Sequence, residues 1–217
     1  MISLNDIHTA ALAQLQGQEA GSALDDKTIA LINLGLRASV TTLDVDGIEA
    51  FTHCALDAGA TAAQVHETLV LVSGLGVHTL MEGSKRVAEV LRQRQDLQIT
   101  VPLDQTRSQL WAQHVGGDRY WNTFEKEVPG FLDALLRLSP EAFEAFFSYC
   151  AVPWKTNALP ALSKELISMA VDAAPTHRYL PGMRLHLGNA IKLGAGRAAI
   201  LQTLDIAAAT PLHQGVR

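Results

Sequence analysis

Three side chains in the last third of the sequence have the types and positions that acid–base chemistry needs. Glu165 lies in one predicted helix, and Arg184 and His186 lie two residues apart near the start of the next. A guanidinium can hold a carboxylate through paired hydrogen bonds. An imidazole can give or take a proton near neutral pH, and Glu165 could orient it or act as the base. The set therefore predicts an anion clamp beside a group that can give or take a proton.

Two further histidines are candidates for the same site. His213 follows a Thr-Pro-Leu segment near the end of the sequence, and His177 lies in the loop between the two predicted helices. A direct catalytic role for His213 is one interpretation, and hydrogen bonding at a helix end is the other. The histidines do not show HxxxH or HExxH spacing, so we predict neither a metal site nor a cofactor.

Helices are expected to position these residues. The segment 164–174 places its apolar residues on one helix face, and Pro175 ends the helix. Pro181 suits the first turn of a second helix, and Gly194 suits the left-handed position after its end. A third helix is predicted over 197–209. Because strand signals are poor throughout, the predicted fold class is all-α.

The sequence also repeats itself. Residues 24–79 align without a gap with residues 159–214 at an offset of 135, which is the separation of Thr41 and Thr176. The aligned identities include glycines at turns as well as apolar residues in helices. A period this long predicts a duplicated subdomain rather than a solenoid.

Between the two copies lies a segment that holds most of the aromatic residues. Its Ser139-Pro140-Glu141 predicts a helix start, followed by an apolar stripe that we interpret as core or subunit interface. The predicted division of the chain is a first repeat over 1–97, an aromatic-rich helical linker over 98–158 and a second repeat over 159–217.

The segments LSKELISMAVDAA from Leu162 and PGMRLHLGNAIKLGAG from Pro181 together resemble the carboxymuconolactone decarboxylase superfamily, which includes the AhpD-like alkylhydroperoxidases. Glu165 and His186 fall on the Glu and His of the family unit. The resemblance implies an AhpD-like helical bundle, here duplicated with pseudo-twofold symmetry. It also implies a homo-oligomer, with a trimer of two-repeat chains, equivalent to a hexamer of single units, as the expected form.

The sequence departs from the peroxidase branch of that family. Counting back from His186 places the family's two cysteines at Tyr179 and Gly182, and counting forward from Glu165 places them at His177 and Leu180. A peroxidatic cycle needs a reactive thiolate and a resolving thiol, so peroxidase activity is disfavoured. The first copy has also lost the site residues, with substitutions at four matched positions: Ala30, Asp44, Gly47 and Phe51.

Three functional hypotheses follow. The first is cofactor-free decarboxylation or lactone isomerisation of a small carboxylate substrate, because Arg184-Leu185-His186 resembles the decarboxylase branch. The second is an AhpD-like antioxidant protein, and the third is a non-catalytic scaffold in which both sites have decayed. That the second copy keeps Glu, Arg and His together argues mildly against decay.

Composition limits the remaining possibilities. The net charge is −5 and no Lys/Arg cluster is present, so we expect no nucleic-acid partner. The longest apolar stretch is too short to span a bilayer, and the N-terminus lacks a signal-peptide pattern, so we expect no membrane association and a cytoplasmic location. Cys54 and Cys150 are predicted to be small buried hydrophobes.

Overall fold

The computed structural model describes residues 1–216, and this part of the chain consists of helices joined by turns and loops, without strands. The predicted all-α fold class is confirmed. In chain order the helices are α1 (Leu4–Gln14), α2 (Asp26–Ala38), α3 (Val45–Asp57), α4 (Ala62–Gly74), α5 (His78–Gln93), α6 (Leu97–Thr100), α7 (Gln105–His114), α8 (Arg119–Glu127), α9 (Phe131–Leu138), α10 (Pro140–Cys150), α11 (Val152–Thr156), α12 (Ala161–Ala173), α13 (Leu180–Lys192) and α14 (Arg197–Ala208).

These helices form two compact units. The first joins Met1–Leu75 to the residues from Pro153 onward, and the second is Gly76–Val152. These limits differ from the predicted boundaries at 97 and 158, and the division into two repeats and a linker stays a prediction. None of the helices within residues 1–216 combines the length and the apolar character needed to cross a bilayer.

In the first unit, α2 and α12 are the central helices. Each packs against the two helices that follow it, and the two also contact each other. Every residue from Lys164 to Ala173 is buried, although only part of this stretch is apolar. Ile32 and Ile167 are fully enclosed, and Gly35 leaves room for Ile167 where an added Cβ would lie 2.8 Å from its Cγ2. Polar side chains on α12 must therefore find partners inside the protein.

The same local geometry recurs at the offset found in the sequence. The Tyr179 N–H donates to the Asp172 carbonyl at 2.8 Å, and 135 residues earlier the Asp44 N–H donates to the Arg37 carbonyl at 3.0 Å. Positive φ angles also recur in pairs, at Leu43 and Arg178 and again at Gly59 and Gly194. The hydroxyls of Thr41 and Thr176 meet at 3.2 Å. Helices α2–α4 and α12–α14 are thus joined by equivalent turns.

The second unit is built around aromatic side chains. Phe124, Phe131, Phe143 and Phe146 are buried, and the rings of Phe131 and Phe146 meet edge to face at 5.3 Å. Ser139 caps α10 by accepting from the Ala142 N–H, and Pro140 is the first helical residue, as the sequence predicts. The apolar stripe of α10 belongs mainly to the core of this unit.

Candidate active site

The candidate site lies between α12 and α13 of the first unit. The His186 Nδ1 is 2.7 Å from the Glu165 Oε2, and the Asn189 amide donates to the other carboxylate oxygen at 3.3 Å. A carboxylate can only accept hydrogen bonds, so the His186 Nδ1 carries the shared proton. The other ring nitrogen, Nε2, takes no part in the contact with Glu165. The side chains of Glu165 and His186 keep 7% and 15% of their exposure, so the pair is largely shielded from water.

The environment favours the protonated form of His186. Burial by itself lowers the pKa of the imidazole, but the hydrogen bond to Glu165 and the charge of that carboxylate raise it, and the result is a pKa above the usual 6.5. A histidine with a raised pKa beside a carboxylate is suited to act as a general acid near neutral pH.

Asp172 is a site residue that the sequence analysis did not select. It lies seven residues after Glu165 and therefore on the same face of α12, two turns further on. Its side chain is fully buried, and its Oδ2 lies 3.9 Å from the His186 Nε2. Burial raises the pKa of Asp172 from 3.8 to about 8, although the His186 charge lowers it. Asp172 therefore keeps its proton at neutral pH. The available signal was its seven-residue spacing from Glu165.

His177 adds a second imidazole to this cluster. Its Nε2 is 3.6 Å from the Asp172 Oδ1, and 19% of its side chain is exposed. Burial lowers the pKa of His177. Asp172 and His177 offer an oxygen and a nitrogen of the kinds that bind divalent cations, whereas Glu165 is already engaged by His186 and Asn189.

The structure does not bring every predicted site residue together. Arg184 is exposed, because residues two apart on a helix point about 200° away from each other. It therefore points away from the side of α13 on which His186 meets Glu165. His213 lies after the last helix, is exposed, and accepts from the Gly215 N–H at 2.9 Å. The catalytic roles of Arg184 and His213 stay predictions.

Neither cysteine lies at the candidate site. Cys54 is exposed on α3, so its predicted burial is wrong, and Cys150 is partly buried on α10. Ala55 is the buried residue of α3, and Cys54, one position earlier, lies about 100° away from it around the helix axis. Burial raises the pKa of the Cys150 thiol to about 11, which disfavours the reactive thiolate.

The matched positions of the first copy hold a different set of interactions. Phe51 occupies the position of His186, and Arg37 occupies the position of Asp172. The Arg37 guanidinium lies 5.4 Å from the centre of the Phe51 ring and pairs with Asp44 at 2.8 Å. Ala30, at the position of Glu165, carries no acid. This end of the first copy is held by a cation–π contact and an ion pair rather than by an acid–base pair.

Comparison with known proteins found a family model and a solved structure that are similar to this chain. Residues 140–212 match the model of the carboxymuconolactone decarboxylase family. A crystal structure from Burkholderia xenovorans LB400, of a candidate gamma-carboxymuconolactone decarboxylase subunit, superimposes with a TM-score of 0.72 at 33% sequence identity. The alignment covers 94% of this chain and 78% of that one. A search of curated proteins found no significant match.

The all-helical fold and its match to the solved structure define an AhpD-like helical protein. The chain belongs to the carboxymuconolactone decarboxylase family within that superfamily.

Proposed function

We propose that this chain is a cofactor-free enzyme that decarboxylates or isomerises a small carboxylated lactone or β-keto acid. The observation that carries the proposal is the 2.7 Å contact between the His186 Nδ1 and the Glu165 Oε2. Family membership and the candidate decarboxylase subunit from Burkholderia xenovorans support the general class of reaction.

In the decarboxylation step the bond between the substrate carbon and its carboxylate breaks. Carbon dioxide leaves, and the electron pair stays on the substrate as an enolate. The His186 Nε2 gives its proton to the enolate carbon, while Glu165 holds Nδ1 and keeps the ring in one orientation. The reaction consumes one proton and needs no oxidant or reductant.

The equivalent turns 135 residues apart support a further part of the proposal, that the chain is a tandem duplication. The second copy would then hold the acid–base pair, and the first copy would be its structural partner. The contact between the Thr41 and Thr176 hydroxyls supports a pseudo-twofold axis passing near this pair.

Turnover by site variants tests the proposal. Small carboxylated lactones and β-keto acids would be screened for carbon dioxide release and for isomerisation. We expect His186→Ala to lower kcat/KM by about 100-fold or more, and Glu165→Gln to lower it by about tenfold. His66→Ala, which alters an exposed histidine on α4, is the matched control. Full turnover by His186→Ala would contradict the proposal.

The antioxidant alternative is separated by a peroxide-consumption assay with a dithiol reductant. We expect no consumption, because the chain has no cysteine pair at the start of α13. If the chain neither consumes peroxide nor turns over any carboxylate substrate, the scaffold hypothesis replaces the enzyme.

A further inference from the structure

Asp172 lies between two imidazoles and faces each with a different oxygen. Its Oδ2 is 3.9 Å from the His186 Nε2, and its Oδ1 is 3.6 Å from the His177 Nε2. Glu165 meets the other nitrogen of His186. The four side chains therefore follow one another as carboxyl, imidazole, carboxyl and imidazole, from the buried Glu165 to the partly exposed His177.

The surrounding structure makes room for this arrangement. Glu165 and Asp172 share one face of α12, so the His186 ring entering from α13 reaches both of them. A Cβ at Gly182 would lie 2.1 Å from the Asp172 Oδ2, so the first turn of α13 can approach the carboxyl only because residue 182 is glycine. The backbone N–H of Tyr179 binds the Asp172 carbonyl at 2.8 Å and fixes the turn that carries His177.

In the first copy, both the residue aligned with Asp172 and the ring that it faces are different. Where Phe51 replaces the imidazole, Arg37 replaces the carboxyl and its guanidinium lies over the ring. A phenyl ring has no proton to exchange, and the first copy keeps no carboxyl beside it. The pairing of Asp172 with His186 thus belongs to the copy that holds the acid–base pair.

We propose that Asp172 and His177 form a proton path that returns protons from solvent to His186. This inference rests on the proposed function, in which each turnover removes one proton from the His186 Nε2. Asp172 then gives its proton to Nε2, its carboxylate takes one from the His177 ring, and His177 takes one from water. Neither residue touches the substrate, and both act through His186.

The chemistry of the two groups suits this order. Asp172 holds a proton at neutral pH because burial raises its pKa to about 8. The distances from Asp172 to His186 and to His177 are both longer than a hydrogen bond, so each proton transfer needs a small rotation of a ring. Catalytic hydrogen bonds are often long before substrate binds.

Exchange of the His186 ring proton with solvent tests the path without requiring turnover. The full chain would be labelled with ¹⁵N-histidine, and the His186 signals would be assigned by their loss in His186→Gln. The rate at which the Nε2 proton exchanges would be measured by NMR in mildly acidic solution. Asp172→Asn keeps the shape of the side chain but cannot pass a proton, and His177→Gln removes the outer ring. His66→Gln is the control.

We expect both path variants to slow this exchange by about tenfold or more, with the control unchanged. A purely structural role for Asp172 would predict the opposite sign, because loosening the packing admits water and speeds exchange. Unchanged or faster exchange in Asp172→Asn would overturn the path.

Turnover supplies the second readout. Where a substrate is found, His177→Gln should lower kcat with KM unchanged, and a small imidazole buffer should restore kcat. If exchange is slowed in Asp172→Asn and His177→Gln but the unmodified chain turns over no substrate, the path is supported and the proposed function is rejected. A kcat of His177→Gln equal to that of the unmodified chain would overturn the role of the path in turnover.

Discussion

At position 186 an imidazole stands where position 51 has a phenyl ring, and at position 172 a carboxyl stands where position 37 has a guanidinium. These two exchanges place an imidazole and a carboxyl 3.9 Å apart where the aligned residues of the first copy make a cation–π contact. Asp172 was not selected from the sequence because it is one of several polar residues in α12. Its significance depends on a ring that comes from another helix.

The two cysteines differ at the residue scale in a way that thiol chemistry can measure. Cys54 is exposed, whereas Cys150 is partly buried and burial raises the pKa of its thiol to about 11. We expect a disulfide reagent such as DTNB to modify one thiol per native chain rapidly and the second only after unfolding. Cys54→Ser should abolish the rapid phase and Cys150→Ser should keep it. A rapid phase that survives in Cys54→Ser would contradict this assignment.

At the scale of elements, the start of α13 depends on the absence of a side chain at position 182. Gly47 occupies the matched position in α3, where an added Cβ would lie 2.4 Å from an oxygen of Asp44. In both copies a glycine therefore lets a helix start approach a carboxyl. The same helix geometry separates Arg184 from His186, since alternate residues cannot share a face.

Alanine substitutions within α13 test this packing. Gly182→Ala places a Cβ on the Asp172 carboxyl, so we expect a loss of about 1–3 kcal/mol in the free energy of unfolding. Gly188→Ala is the control in the same helix, because its Cβ would meet only the Gln14 Oε1 at 3.7 Å. There the entropy effect of replacing glycine should stabilise the chain by about 0.5–1 kcal/mol. Urea unfolding compares the two, and equal midpoints would show that Gly182 is not constrained.

At the scale of the whole molecule, a buried ion pair joins distant parts of the sequence within the first unit. The Glu67 carboxylate on α4 lies 3.0 Å from the Lys164 Nζ and accepts the backbone N–H groups of Ala158 and Leu159 at 2.9 and 3.0 Å. Thr156 donates its hydroxyl to the same carboxylate. The Lys164 ammonium also lies 5.1 Å from the centre of the Trp154 ring.

This ion pair should make stability depend on acid pH. Burial by itself raises the pKa of Glu67, but the Thr156 hydroxyl and the backbone N–H groups outweigh burial and lower the pKa from 4.5 to about 2. Because the folded-state pKa is lowered, the contribution is present above pH 4.5 and disappears as the pH falls towards 2. This lowering of the Glu67 pKa corresponds to ~3 kcal/mol in the free energy of unfolding.

The variant Glu67→Gln isolates this contribution. At neutral pH it leaves Lys164 buried without its anion, so we expect a loss of about 3 kcal/mol in the free energy of unfolding. The gap from the unmodified chain should narrow as the pH is lowered below 4.5. Glu89→Gln, which removes an exposed pair with Arg92, should change stability by less than about 1 kcal/mol. Chemical unfolding of the three proteins over a pH series measures these differences. A difference between Glu67→Gln and the unmodified chain that does not change with pH would contradict the lowered pKa of Glu67.

Assembly is a separate prediction at this scale. The family resemblance implies a trimer, but the phenylalanines of α10 lie mainly in the core of the second unit, so they supply little of the contact area. Exposed apolar side chains instead follow α5, at Leu80, Val87 and Val90. We expect light scattering to give three times the mass of the chain. A stable monomer would remove the prediction.

Much of this protein could be predicted from local sequence. Backbone restrictions that a residue carries at any position predict three of these features. Pro175 stops α12, Pro181 favours the start of α13, and Gly194 permits the left-handed conformation after its end. The choice of Glu165 and His186 as candidates followed from the family resemblance, and the recurrence at 135 residues followed from alignment. In each case the information lies within a few neighbouring residues or in direct comparison of two segments.

The sequence by itself therefore determined the all-α class and the main helix limits of the second copy, and it selected Glu165 and His186 as candidate site residues. Only the tertiary structure decided that Asp172 and His177 join that pair, that Arg184 points away from it and that Cys54 is exposed. These outcomes depend on the direction in which each side chain leaves its helix and on which helix packs against it. Helix-to-helix packing is set by the fit of whole surfaces, which no local pattern of residue types encodes.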